Sequence, residues 1–236
     1  LPILIFSIAT PPTQALVNSE TDTPVFFCAV SAPTAAGILT DMDKPDKNAT
    51  GTSNAIPVSK IIDLAQATTP VKKIGLIYSG NEDNATNTVK QCEEYLKSIN
   101  VEYVEKTAAS SNDVETATNA LIAEGAEAIF VPNDSIIQDG VSKLTEICNE
   151  KKIPTYCSSA TTVASGCFAT LAIDDKGIGK KTVDIAMDYV NGKEVADIPA
   201  QVVGIDYCSV SKSAMKTLGI SQDNIKTDYK LNVIEN

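Results

Sequence analysis

Residues 73–105 read KIGLIYSGNEDNATNTVKQCEEYLKSINVEYVE and hold one complete strand–helix–strand pattern. The run Ile74–Tyr78 is short and apolar without alternation, which is typical of a strand buried on both faces of a parallel sheet. Val101–Glu105 is predicted to be a second strand. Between the two strands, apolar residues recur at helical spacing on one face, at Val89, Cys92, Leu96 and Ile99. The stretch therefore predicts one βαβ unit.

The same alternation of strands and amphipathic helices continues on both sides of this stretch. The other predicted strands are Ile3–Ile8, Val25–Val30, Ala128–Val131, Thr155–Cys157, Phe168–Ile173 and Val202–Tyr207. Strands and helices that alternate at these intervals predict an α/β protein with a doubly wound, mainly parallel sheet.

Two segments interrupt the pattern. Residues 41–54 are polar and are predicted to form a loop, and residues 67–71 are a plausible crossing between two halves of the protein. The half before this crossing has only two predicted strands, too few for a doubly wound sheet covered on both faces. We therefore expect two further βαβ units, about 60–80 residues, ahead of residue 1.

Composition narrows the possible functions. The chain has 236 residues, 43% of them hydrophobic, and a net charge of −11. Such an acidic protein repels a phosphate backbone, so no nucleic-acid partner is expected. There is no histidine, the commonest general base and metal ligand. The six cysteines form no C-x-x-C motif, and we expect them to act as small buried hydrophobic residues. Their even number also permits disulfides, and Cys157 and Cys167 are the pair nearest in sequence.

Catalytic and cofactor motifs are also missing from the sequence. No glycine-rich dinucleotide or phosphate loop follows a predicted strand, and no residue pair resembles a nucleophile with its base. We therefore predict no enzymatic activity, no catalytic residue, no cofactor and no metal site.

Polar residues follow nearly every predicted strand, at the sheet edge where ligands bind in this fold class. They are Thr10, Ser31, Ser79, Asn133, Asp134, Ser158 and Asp174. Thr10, followed by Pro11, is placed to begin a helix whose N-terminus would attract a carboxylate. Asp134 could pair with a ligand amine. Ordinary helix capping explains Thr10 and Asp134 equally well.

Several segments, taken in order, resemble one family. They are 8–15 (IATPPTQA), 27–37 (FCAVSAPTAAG), 48–51 (NATG), 73–79 (KIGLIYS), 129–134 (IFVPND) and 168–174 (FATLAID). The chain is similar in these segments to ABC-type substrate-binding proteins related to the binders of tryptophan and other aromatic amino acids. The resemblance implies the type I periplasmic binding fold, with two Rossmann-like parallel-sheet lobes joined by hinge crossings, the first lobe incomplete. Residues 1–70 plus 173–195 would form lobe 1, and 71–172 plus 198–236 would form lobe 2.

The same resemblance implies a function. The protein would be the extracytoplasmic, periplasmic or lipid-anchored solute-binding component of an ABC importer, with a permease and its ATPase as partners. Thr10 and Ser31 would hold the carboxylate of an amino-acid-like ligand in the cleft between lobes, with aromatic amino acids among the candidates. Ser79, Asn133, Asp134 and Ser158 would close from lobe 2, and Asp174 would face the pocket from a crossing. Relatives usually carry Asp in place of Ala32 and an aromatic residue in place of Asp175, and both changes argue against an aromatic ligand.

Two alternatives stay open at the level of sequence. One is a sugar- or nucleoside-binding protein of the same fold, or the effector domain of a transcription regulator. The other is a small flavodoxin-like enzyme, which the missing histidine and phosphate loop disfavour.

Overall fold

The structure is a computed structural model that describes residues 2–236. Strands and helices alternate along the chain as the sequence predicts. The strands are β1 Ile5–Ile8, β2 Val25–Cys28, β3 Ala49–Ser53, β4 Lys73–Tyr78, β5 Glu102–Thr107, β6 Ala128–Val131, β7 Thr155–Cys157, β8 Ala169–Ala172, β9 Gln201–Val202, β10 Tyr207–Ser211 and β11 Lys230–Ile234. The helices are α1 Thr10–Asn18, α2 Val58–Thr68, α3 Asp83–Ser98, α4 Val114–Ala123, α5 Ser135–Asp139, α6 Val141–Glu150, α7 Ala160–Ala164, α8 Asp175–Val190 and α9 Lys212–Leu218.

The chain divides into two compact units. The first unit is Leu1–Ala55 with Ile173–Ile205, and the second unit is Ile56–Ala172 with Asp206–Asn236. The first boundary lies after residue 55, where the sequence predicted 70, and the last lies after residue 205, where the sequence predicted the second lobe to resume at 198. Helix α2 belongs to the second unit because it packs on β7 and β8, and the Thr69 hydroxyl at its end lies 2.7 Å from the Tyr156 hydroxyl.

The first unit contains a parallel sheet with the strand order β1-β2-β3-β9. Its apolar core includes Phe27, Val30, Ile38 and Leu39, all buried. On another part of the sheet, Phe26 packs against Ile185 of α8. Helix α8 thus covers the sheet although about 120 residues separate it from β3 in the chain.

Strand β3 corrects the prediction of a loop over residues 41–54. Its sequence, ATGTS, is polar, yet every residue is buried. The threonine hydroxyls are satisfied inside the unit, since Thr50 Oγ1 donates to the Ile198 carbonyl at 2.7 Å and Thr52 Oγ1 lies 2.6 Å from Thr182 Oγ1. Gly51 allows the close approach of β2, because a Cβ atom there would lie 1.9 Å from the Phe27 carbonyl oxygen.

The second unit contains a seven-stranded sheet with the order β11-β10-β8-β7-β6-β4-β5. Five neighbouring strands, from β8 to β5, are parallel, but β10 is antiparallel to β8. The predicted single strand Val202–Tyr207 is wrong. Its first residue ends β9 in the first unit, and its last begins β10 in the second, so the chain passes from one unit to the other at this point.

All six cysteines are free thiols, and five of them are buried. Cys148, Cys157 and Cys167 belong to one apolar cluster of the second unit. The prediction of small buried hydrophobic residues is confirmed for these five, whereas Cys28 is only half-buried. Burial raises the pKa of Cys92 and the pKa of Cys208 to about 12, so both thiols stay protonated at neutral pH.

Candidate functional site

The polar residues of the first unit lie at the carboxyl ends of β1, β2 and β3. Pairing of Ile8 with Cys28 places the ends of β1 and β2 side by side, and the Ala9 N–H donates to the Cys28 carbonyl at 3.0 Å. Thr10 follows directly and is 3% exposed. It is the first residue of α1 and not its N-cap, because Ala9 takes the cap position without a side-chain hydrogen bond.

Two alanines at this edge have strained backbones. Ala9 has φ 70° and ψ 170°, a region that is almost restricted to glycine, and Ala29 after β2 has φ 57°. Each such conformation costs about 1–3 kcal/mol and is retained where the surrounding structure requires it, often at ligand sites. Sequence reasoning missed both positions, since alanine carries no signal for positive φ.

A third strand end completes this edge. The Ser31 hydroxyl donates to Asn54 Oδ1 at 3.0 Å, and Asn54 directly follows β3. Thr10, Ser31 and Asn54 are called the first rim below. Asn54 was not predicted because β3 was interpreted as part of a loop.

In the second unit, the ends of β4, β6 and β7 are neighbours in the sheet. Asp134 lies at the centre and is 1% exposed. Its Oδ2 accepts hydrogen bonds from the Ser79 N–H and the Ser79 hydroxyl, both at 2.7 Å, and its Oδ1 accepts from the Ile137 N–H at 3.2 Å. Both carboxylate oxygens are therefore engaged within the unit, and the residue caps α5.

Two further hydrogen bonds join the same two segments. One is 79–84, from the end of β4 into the first turn of α3, and the other is 132–135, from the end of β6 to the first residue of α5. Asn84 Nδ2 donates to the Asn133 carbonyl at 2.6 Å, and the Ser135 N–H donates to Glu82 Oε1 at 2.8 Å. The loops thus hold each other in place through side chains from both sides. Sequence reasoning did not select Asn84 as a ligand residue, although it lies six residues after a predicted strand.

Two buried polar atoms at this edge have no hydrogen-bond partner within residues 2–236. They are Asn84 Oδ1, on a side chain 5% exposed, and Ser158 Oγ after β7. A buried polar atom without a partner costs about 1–3 kcal/mol. Ser79, Asn84, Asn133 and Ser158 are called the second rim below. The four residues of this unit that the sequence predicted all lie at this sheet edge. They are Ser79, Asn133, Asp134 and Ser158.

Asp174 belongs to the first unit and is exposed. It is the N-cap of α8, and its Oδ2 accepts a hydrogen bond from the Gly177 N–H at 2.9 Å.

Within residues 2–236, no group of three or more His, Cys, Asp or Glu side chains could hold a metal ion. No helix in the same range combines the length and apolar character needed to cross a bilayer. What the rims offer chemically is hydrogen bonding at the carboxyl ends of parallel strands.

The sequence also matches a family model described as ABC transporter substrate binding protein, over residues 2–228. The chain belongs to this family. Among curated proteins it is similar to a tyrosine-binding protein of Clostridioides difficile (strain R20291), with 34% identity over 227 residues. The match covers 94% of this chain but 66% of that protein's length.

Solved structures share its fold. A conserved domain protein from Vibrio cholerae superposes with a TM-score of 0.90 at 30% identity, covering 98% of this chain and 79% of the other. An ABC domain from Streptococcus pneumonia in complex with L-Trp gives a TM-score of 0.89 at 29% identity, with the same coverage. The resemblance and the α/β fold of two parallel-sheet units, both predicted from sequence, are confirmed. The family match favours the binding-protein interpretation over the flavodoxin-like enzyme.

Proposed function

We propose that this chain is the extracytoplasmic solute-binding component of an ABC importer and that it binds a free amino acid with an aromatic side chain. The observation that carries the proposal is the second rim. Two buried polar atoms without partners, Asn84 Oδ1 and Ser158 Oγ, lie there beside strand ends that hydrogen bonds hold together. A preformed polar rim of this kind suits a small polar ligand. The side chain of the ligand is inferred from the tyrosine-binding and L-Trp-bound relatives.

The first rim is proposed to bind the α-carboxylate. Thr10 begins a helix of nine residues. Pro11 and Pro12 have no N–H, so the first turn attracts a carboxylate through the Thr10 N–H and the helix dipole. The Ser31 hydroxyl adds a donor on the neighbouring strand end. The strained backbones of Ala9 and Ala29 support this assignment, because strain is commonly retained where it orients ligand-binding groups.

The second rim is proposed to contribute the remaining polar contacts, from Ser79, Asn133 and Ser158. Asp134 is proposed to orient these groups, and Asp174 to orient the start of α8. Binding would favour one arrangement of the protein over others, and a permease with its ATPase would recognise that arrangement. The proposed function is binding without chemical change of the ligand, so we propose that the protein is not an enzyme. A lipid anchor would keep it at the outer face of the membrane.

Isothermal titration calorimetry tests the ligand class. We expect L-tyrosine, L-tryptophan and L-phenylalanine to bind, and L-tyrosinamide to bind at least about tenfold more weakly, because its amide lacks the carboxylate charge. Equal affinity for L-tyrosine and its amide would refute carboxylate recognition. Binding of ribose with no binding of any amino acid would favour the sugar-binding alternative.

Ser31→Ala is the matching variant of the first rim, and Ser19→Ala is its control. Both remove one serine hydroxyl from the first unit, but the Ser19 hydroxyl is exposed and bonds only the Leu16 carbonyl at the opposite end of α1. Only Ser31→Ala should weaken the binding of L-tyrosine.

A further inference from the structure

We infer that Asn84 Oδ1 and Ser158 Oγ bind the α-ammonium group of the ligand, and that Asp134 positions them instead of binding the ammonium itself. The inference rests on the proposed function, since it requires an amino-acid ligand. It replaces the pairing of Asp134 with a ligand amine, which the sequence leaves open beside helix capping.

Asp134 is a poor partner for a ligand because its carboxylate is already in use. It is 1% exposed and accepts three hydrogen bonds, two of them from Ser79 and one from the start of α5. Although Oδ1 keeps a lone pair, the carboxylate is buried and presents almost no surface to a ligand ammonium. The carboxylate therefore fixes the loop geometry.

Asn84 has the opposite properties. One end of its amide is held, because Nδ2 donates to the Asn133 carbonyl at 2.6 Å, while Oδ1 is buried and has no partner within residues 2–236. Exchanging the two amide atoms would place an oxygen against the Asn133 carbonyl, so the orientation is fixed. An amide oxygen can only accept a hydrogen bond, so the missing partner is a donor.

Ser158 lies on the other side of the same strand end. Its N–H donates to the Val131 carbonyl at 3.0 Å, two residues before Asn133, and its hydroxyl is buried without a partner. Strand β6 lies between β4 and β7 in the sheet, so the two atoms flank its carboxyl end. An ammonium group has three donors in a tetrahedral arrangement, so it can bond both acceptors if their oxygen atoms converge on it.

Ser158→Ala and Ser209→Ala make a matched pair of variants. Ser209 Oγ in β10 is also buried without a partner, but it lies within a strand and away from the rim. Each change removes an unsatisfied hydroxyl, so neither should lower the melting temperature. We expect Ser158→Ala alone to weaken L-tyrosine binding, by about 10- to 100-fold for a charge-assisted hydrogen bond.

Asn84→Ala and Glu82→Ala make the second pair. Both remove a hydrogen bond between the two loops, but only Asn84→Ala removes the acceptor without a partner. Each protein is titrated with L-tyrosine and with 3-(4-hydroxyphenyl)propionate, which lacks the ammonium group. The wild type and Glu82→Ala should prefer L-tyrosine, and this preference should fall about tenfold or more in Asn84→Ala and Ser158→Ala.

An unchanged preference in both rim variants would overturn the inference and leave amino-acid binding intact. If Asn84→Ala fails to fold, Ser158→Ala decides the matter. If the wild type binds no amino acid, the proposed function fails and takes this inference with it.

Discussion

The Asp134 carboxylate accepts hydrogen bonds from both the N–H and the hydroxyl of Ser79, each at 2.7 Å. The two residues are 55 positions apart in the chain and follow neighbouring strands of one sheet. A negative charge that is 1% exposed is stable only when such donors surround it. This pair therefore joins the β4 and β6 loops and prepares the second rim before any ligand binds.

Asp134→Asn should destabilise the second unit by about 2–3 kcal/mol. The new amide retains an oxygen for one of the donors, but its NH2 group faces another donor, and the charge that strengthened all three bonds is lost. The measurement is chemical denaturation followed by circular dichroism.

Asp174→Asn is the control for this substitution. The same change at an exposed N-cap should cost only a few tenths of a kcal/mol, because asparagine caps helices as well as aspartate does. Equal losses at the two positions would mean that Asp134 is only a helix cap.

The positions of the predicted ligand residues followed from one rule, that polar residues after parallel strands gather at one edge. The rule worked for Ser79, Asn133 and Asp134 because apolar strands such as Ala128–Val131 are legible in sequence. It failed at Asn54, since the strand before it is built of threonine and glycine, and its hydroxyls are satisfied only by residues far along the chain. Whether a buried polar atom such as Asn84 Oδ1 has a partner is likewise decided by tertiary contacts.

Gly51→Ala should destabilise the first unit by about 3 kcal/mol or more. The added Cβ would lie 1.9 Å from the Phe27 carbonyl oxygen, and a backbone atom cannot move away without breaking the pairing of β2 with β3. Thermal unfolding of the variant would measure the loss.

Gly179→Ala in α8 is the control and should increase the free energy of unfolding. A Cβ there meets no atom within 4 Å, and alanine is the better helix former by about 1 kcal/mol. A stable Gly51→Ala protein would show that the β2–β3 contact is looser than the structure describes.

The cysteines give a prediction about alkaline pH. Burial raises the pKa of Cys92 and the pKa of Cys208 to about 12 from an ordinary value of 9.0. Below pH 9 both thiols are protonated in the folded and unfolded states, so their effect on stability is constant. Above pH 9 only the unfolded chain ionises freely, so the free energy of unfolding should fall between pH 9 and 12.

Thiol labelling at pH 8 offers a direct check on the same burial. A disulfide reagent should react with Cys28 first, because it alone is partly exposed, and with all six thiols in denaturant. Rapid labelling of more than one thiol in the native protein would contradict the described core.

Tyr156→Phe tests the assignment of α2 to the second unit. The Tyr156 hydroxyl lies 2.7 Å from Thr69 Oγ1 at the end of α2, and burial raises the pKa of this tyrosine. Removing the hydroxyl should cost about 1 kcal/mol and should increase hydrogen exchange in α2, because the bond ties the helix end to β7. Tyr78→Phe is the control, since the Tyr78 hydroxyl donates to Glu105 at an exposed site and should matter little. If exchange in α2 were the same in both variants, the helix would not depend on this contact with the second unit.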